Sequence, residues 1–544
     1  MGTMRKLLLP LLLFCLLGVA ANFSPDKKPE TTKSDRKKIY VLHSDVLHKD
    51  FRVPGAQVLS GNVHFLQDGV HMYCDSAHYY DEANSFKAFG HVKMVQGDTL
   101  SLVGEYLNYN GATQLAEVRR NVVLRHRKST LYTDSLNYDR LYNLGYFFEG
   151  GKLVDADNTL TSDWGEYHTD SREAIFNYNV LLLNPKFTLK SDTLHYNTLT
   201  KMARIVGPSN IDHQDTHIYS ESGIYDTQRD VSHLYDRSII TNNDGKKMIG
   251  DSVYYDSKKG YGEGFHNVIY TDEPNKNQLT GNYVYYDENT GYAFATDSAV
   301  AKDYSQKDTM YIHADTLKMF TFNINTDSVY RETHAYHKVR SYRVDIQMVC
   351  DSLMGSSIDS CLYLYKDPIV WNGDQQIVGE EMRVYLNDST VDSIQVLRQA
   401  MSIEKLDKHH YNQVSGREMH TYFNNGEVYL NQVEGNVLAI YYMLDSDSLL
   451  YGSNYTETTL LKMYVENRKM KSLWMPAAQG VMYPITDIPA DKYYLPGFAW
   501  FDYIRPTSPQ DILVWRGKGK GQEMKVVKHK GAPLQKLDKI LKKE

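Results

Sequence analysis

Leu131-Tyr132-Thr133-Asp134-Ser135-Leu136-Asn137-Tyr138 returns as Leu189-Lys190-Ser191-Asp192-Thr193-Leu194-His195-Tyr196, and again as Met248-Ile249-Gly250-Asp251-Ser252-Val253-Tyr254-Tyr255. The shared order is an apolar residue, a small residue next to an acid, Ser or Thr, an apolar residue, and then Tyr. With the acid or its equivalent as the register mark there are thirteen copies. They fall at Asp45, Asp75, Glu105, Asp134, Asp163, Asp192, Glu221, Asp251, Asn282, Asp315, Asp351, Glu380 and Arg417, 29 to 37 residues apart. A phased repeat of this length marks a stack of identical units that bury their apolar faces on one another.

The aligned columns say how each unit is shaped. Three residues before the mark every copy is apolar, as at Leu102, Leu131, Leu160, Leu189, Ile218 and Met248. One before, the residue is small, as at Thr133, Ser191 and Gly250. Two after, it is usually apolar, as at Leu107, Leu136, Leu194 and Val253. Four after, Tyr dominates: Tyr109, Tyr138, Tyr167, Tyr196, Tyr225 and Tyr255. In a flat strand, residues two apart share a face, so the first apolar column would oppose the other two. A bend or bulge at the small residue and the acid turns all three inward. The acid then reads as a turn former bonding local backbone N–H groups.

A second strand precedes the mark in most copies, as in Gly61-Asn62-Val63, Arg120-Asn121-Val122 and His266-Asn267-Val268. Each unit is thus at least two strands, and no helix is expected before a short basic amphipathic one at 534–543. The fold class predicted is all-β: an elongated open β-jellyroll or solenoid of stacked repeats. Thirteen copies would span ~60 Å if each adds one strand layer and ~120 Å if each adds a hairpin. Such a stack leaves an apolar trough, and the sixteen column residues from Leu102 to Tyr255 named above are the candidates to line it. An acyl chain entering it would gain ~0.8 kcal/mol per buried CH₂.

Composition agrees with strands. Of 544 residues, 44 are Tyr and only 15 are Pro, and Tyr suits a pleated surface with one wet side. The net charge of −7 excludes a globally basic nucleic-acid binder. Arg5 and Lys6 precede an apolar run over 7–21 that ends in small residues, which reads as a cleaved secretory signal. Bulky Phe14 before Cys15 argues against a lipoprotein signal. Beyond the signal only Cys74, Cys350 and Cys361 remain, too few for a disulfide framework; a Cys350–Cys361 bridge is compatible with export and would leave Cys74 free. No cofactor or metal is expected: there is no CxxC pair, and His213 and His217 lack the Glu of a zinc protease motif. Catalytic acids are usually unique, whereas these recur in every unit, so no catalytic residue is assigned. Residues 516–544 hold ten Lys or Arg against three acids.

The repeated phrase, the upstream strand and the leading signal together resemble the OstA-like domain of the periplasmic lipopolysaccharide-transport family, related to the LptA-like bridge proteins. The resemblance covers residues 40–353 clearly and runs on more weakly to about 444. It implies a V-shaped, two-sheet groove holding lipid A acyl chains of lipopolysaccharide, a periplasmic location, and no enzymatic activity. It further implies edge-strand pairing with other β-jellyroll transport proteins and contact with an outer-membrane translocon. About 100 residues after 444 are too few for the family's large outer-membrane barrel. The expected organisation is a signal at 1–21, a linker at 22–38, the repeat domain at 39–353, a divergent continuation at 354–444, a capping or docking region at 445–515 and a basic tail at 516–544. Two other classes fit a stacked repeat. A surface stalk would have a closed, filled interior. A β-helix enzyme acting on polysaccharide would need a charged cluster breaking the repeat, and none is visible.

Overall fold

The computed structural model describes residues 38–518 apart from 325, 388–389, 448 and 468. The expected signal, nearly all of the linker, and the tail from 519 lie outside the described residues. The described chain is almost wholly β: 36 strands and three short 3-10 turns. Strands that follow one another in sequence pair antiparallel, so the sheet is one long meander. Counting the two halves of a rung broken at its corner together, the strands make 28 rungs, or ~130 Å at the usual strand spacing.

Every rung bends near its middle, and the cause is visible in the register. Strand Gln57–Gln67 pairs with Val70–Tyr80; Ser60 faces Ser76 and Val63 faces Cys74. Gly61 and Asn62 therefore stand together opposite Asp75 alone, which is a bulge. Both have left-handed φ, +79° and +45°, as do Arg120-Asn121, Tyr178-Asn179 and His266-Asn267 at the same place in later copies. Gly and Asn tolerate that region best. On the strand without the bulge, the inward-facing residues change parity at the acid: Met72, Cys74, Ala77 and Tyr79 are all buried. The predicted bend thus brings every apolar column to the inside.

The acid works differently from the expectation. It bonds the side chain of the bulge residue on the following strand rather than its own turn: Asn62 Nδ2 donates to Asp45 at 3.0 Å, Asn179 Nδ2 to Asp163 at 2.6 Å, and Asn267 Nδ2 to Asp251 at 2.7 Å. Two successive left-handed residues aim the Asn amide across the strand pair, where the carboxylate meets it. A backbone N–H reaches the acid at Asn121, 3.3 Å from Asp134 Oδ1. The small column lies inside the corner, where a Cβ on Gly416 would stand 2.5 Å from Val433 Cγ1.

The result is a V of two arms. The first carries the apolar column before the mark, and the second carries the apolar and Tyr columns after it. One continuous core between the arms runs from Ile39 to Leu461. The stretch expected to cap the stack divides in two. Strands Leu450–Glu466, Lys469–Trp474 and Gln479–Pro484 simply extend the meander. Residues 485–515 form a strap that turns back along the outer face of the first arm instead of closing the end. Its Ile488, Leu495, Phe501 and Ile504 pack on Val349, Trp371, Ile403 and Tyr442 in a second core.

Three glutamines hold the strap. Gln413 donates to Tyr493 O at 2.9 Å and accepts from Leu495 N at 2.8 Å. Gln376 does the same with Ala499 O and Phe501 N, at 2.8 and 2.7 Å. Gln347 accepts from Arg505. At its far end the strap meets Arg340, which donates to Ile512 O and lies over the Trp515 ring.

The three cysteines are free and buried. Cys350 sits beside a corner opposite Val339, while Cys361 lies at a strand tip between Ser356 and Tyr385, so the two form no bridge.

Candidate functional site

The sixteen column residues all point into the space between the arms. Leu102, Leu131, Leu160, Leu189, Ile218 and Met248 come from the first arm. Leu107, Leu136, Leu194 and Val253, with Tyr109, Tyr138, Tyr167, Tyr196, Tyr225 and Tyr255, come from the second. All are buried, none more than 8% exposed. Over this stretch the interior is filled by its own side chains, so the trough expected to stand open is shut.

The tyrosines shut it. They stand near the free ends of the second arm, and several hydroxyls cross the mouth of the V to polar groups on the first. Tyr109 donates to Gln67 Oε1 and accepts from Arg140 at 2.6 Å. Tyr167 meets His126 Nδ1 at 2.8 Å. Tyr196 donates to Asp155 Oδ2 at 2.8 Å. At Tyr286 the cross-mouth partner is Lys246 Nζ, at 3.1 Å. Burial raises the phenol pKa of Tyr109, Tyr138 and Tyr167, and pushes that of Tyr255 up to about 12. These hydroxyls stay protonated and act as neutral latches. Asp155 itself is buried and gathers Ser129 Oγ, Tyr196 OH and Lys201 Nζ. Such a satisfied network fixes the two arm ends against each other.

The tyrosine column stops after Tyr286. Its next two members are Met319 and Gly355, neither of which carries a hydroxyl to span the mouth. There the interior opens as a cavity of about 340 Å³. Leu279, Ala301 and Ile312 line it from the first arm, and Leu317, Met319 and Leu353 from the second. Ala301, Ile312 and Met319 are only partly buried, unlike the column residues of the closed stretch. Arg331 and Arg343 stand at the rim on opposite arms. Arg343 is paired with Asp345, whereas Arg331 donates to the neutral Asn275 Oδ1 at 3.1 Å and pairs with no carboxylate among the described residues. Cys361 lines the same cavity, and burial pushes its thiol up to about 11.

The opening lies outside the residues chosen from sequence, although Leu279, Ile312 and Leu317 belong to the same columns. The readable signal was the loss of Tyr at two consecutive copies. The strap glutamines carried a signal as well: Gln347, Gln376 and Gln413 each stand four residues before a mark. The two histidines weighed as metal ligands turn to different carboxylates, His213 to Asp230 and His217 to Asp212.

No curated protein matches the chain. Residues 36–192 match the family model described as OstA-like protein, which covers the first part of the latched section and ends before the opening. The phased corners and tyrosines of that section are therefore those of a segment similar to the OstA-like proteins.

Proposed function

We propose that this chain is a non-enzymatic lipid carrier in lipopolysaccharide transport and outer-membrane assembly. It would work in the periplasm and hold acyl chains between the two arms. One observation carries the reading: the apolar interior is continuous over the whole stack and is closed at the mouth by side-chain latches rather than by backbone. Parting such latches exposes a ready apolar surface, and each buried CH₂ of a ligand returns ~0.8 kcal/mol. Leu102, Leu107, Leu131, Leu136, Leu189 and Leu194 are then among the residues an acyl chain held there would lie against.

Partners of similar build would add at the stack ends. Strands Tyr40–His43 and Val46–His48 pair on one side only among the described residues, as do Lys469–Trp474 and Gln479–Pro484. Such edges accept a further strand. Leu47, Trp474 and Met482 are exposed there.

Photocrosslinking from positions 136 and 194 in cells tests the reading. Adducts with lipopolysaccharide support it; adducts with protein alone sink it. The filled interior between Leu102 and Tyr255 favours a second reading, a structural stalk, which that second outcome would support.

A further inference from the structure

The latched section and the open section differ by a rule that can be read residue by residue. Where the fourth residue after the mark is Tyr, the mouth is bridged or plugged. Where it is Met319 or Gly355, the mouth stands open over apolar side chains from both arms. Further on the column holds Val384 and Thr421, and both are buried again. The opening is therefore bounded along the seam, falling between residues 277 and 387, and is far larger than the recess of about 40 Å³ beside Tyr255 and Tyr286.

We infer that the interior is loaded sideways through this gap, by an amphiphile whose acyl chain lies on Leu279, Ile312, Met319 and Leu353 and whose anionic head rests on Arg331. This rests on the carrier reading and adds the place of entry and the class of head group. The floor has no charged side chain among the inward residues just named, so it suits a hydrocarbon and rejects a polar chain. The edge is different. Arg331 belongs to the inward-facing set of its strand, two residues from Thr333, and its guanidinium has only a neutral acceptor in Asn275. A phosphate or carboxylate at the mouth would supply the charge-assisted partner it lacks. Arg343 is already neutralised by Asp345, Asp303 and Asp308 stand further along the rim, and Lys302 and Lys318 also line the cavity but from positions next to the inward Ala301 and Met319, so Arg331 is the inward-facing cation placed for the head group. An entering chain breaks no tyrosine latch at Met319 and Gly355, and can then advance toward the closed section one tyrosine at a time.

The test uses the full chain and cis-parinaric acid, a fluorescent fatty acid, with its methyl ester as the uncharged probe. The natural protein should bind the acid more tightly than the ester. The double variant Met319→Tyr/Gly355→Tyr, which restores the column, should weaken acid binding more than tenfold, while Met319→Leu keeps it. Arg331→Gln should lower affinity for the acid to that for the ester and leave the ester unchanged. If the natural protein binds neither probe, the carrier reading falls. If it binds the acid and the double variant, shown folded by circular dichroism, binds equally well, the gap is not the entrance and the carrier reading stands. Should the double variant not fold, binding by Met319→Trp decides in its place: retained affinity overturns the entrance. Equal affinity of the natural protein for acid and ester overturns the role of Arg331.

Discussion

Removing one glutamine should release the strap. The Gln376 side chain is fully buried and makes two hydrogen bonds to strap backbone, to Ala499 O at 2.8 Å and from Phe501 N at 2.7 Å. Gln376→Ala leaves both backbone groups dry and unpaired. Each costs ~1–3 kcal/mol, so local opening of the strap becomes easier by ~2–6 kcal/mol. The neighbouring anchors, Gln413 and the Gln347–Arg505 contact, remain and confine the effect to the middle of the strap. At 1.4 kcal/mol per decade, even ~2 kcal/mol speeds amide exchange ~30-fold. Hydrogen–deuterium exchange read by mass spectrometry on peptides covering 496–504 measures this directly. Exchange in the latched section, between residues 100 and 200, should not move. The reasoning fails if exchange at 496–504 stays within about threefold of the natural protein, since the strap would then be held by its apolar side chains alone.

Three further outcomes are expected. Gly416→Val forces a branched side chain against Val433 Cγ1 inside a corner and should lower stability by ~1–3 kcal/mol, seen as a lower urea midpoint. Tyr196→Phe removes the hydroxyl shared by Asp155 and Asn158; exchange at 153–160 should rise by the equivalent of ~1–3 kcal/mol, with the apolar ring still in place. At the strap's far end, the hydrogen bond from Arg516 holds the Asp511 carboxyl at about 2. A carboxyl lowered in the folded state stabilises above its ordinary range near 3.9 and loses that effect as pH falls toward 2. Exchange protection of 507–515 should therefore decline between pH ~4 and ~2, and Asp511→Asn should abolish that dependence.

The bend, the inward columns and the tyrosine alignment were legible because each is a periodic consequence of one backbone geometry. Cys74 followed by Asp75, then Ala77 and Tyr79, already encodes the change of parity. What Asp75 bonds was not legible, since its partners lie on another strand and depend on the left-handed pair that aims them. The closed mouth was hidden for a related reason. Whether Tyr196 lines a trough or bridges it depends on how far apart the two arms stand, and that distance is a tertiary quantity with no period. The opening and the strap were encoded as exceptions, Met319 and Gly355 in one column and three glutamines in another. An exception carries meaning only once its column's normal role is known. Reading 445–515 as one capping or docking region missed the division at Pro484 for want of such a column: the strands to Pro484 are too irregular to align, and the strap has no repeat at all.

A meander in which each rung pairs with the rungs just before and after it has a consequence for how the chain reaches its native state. The sheet never waits for a distant partner. A chain emerging N-terminus first always presents a finished edge on which the next rung can form, so assembly can follow the order of emergence, with short loops to close and little opportunity for wrong pairing. The strap is the exception, because its anchors join residues 80 to 172 positions apart. It can dock only after the last rungs exist, so its closure marks the end of folding.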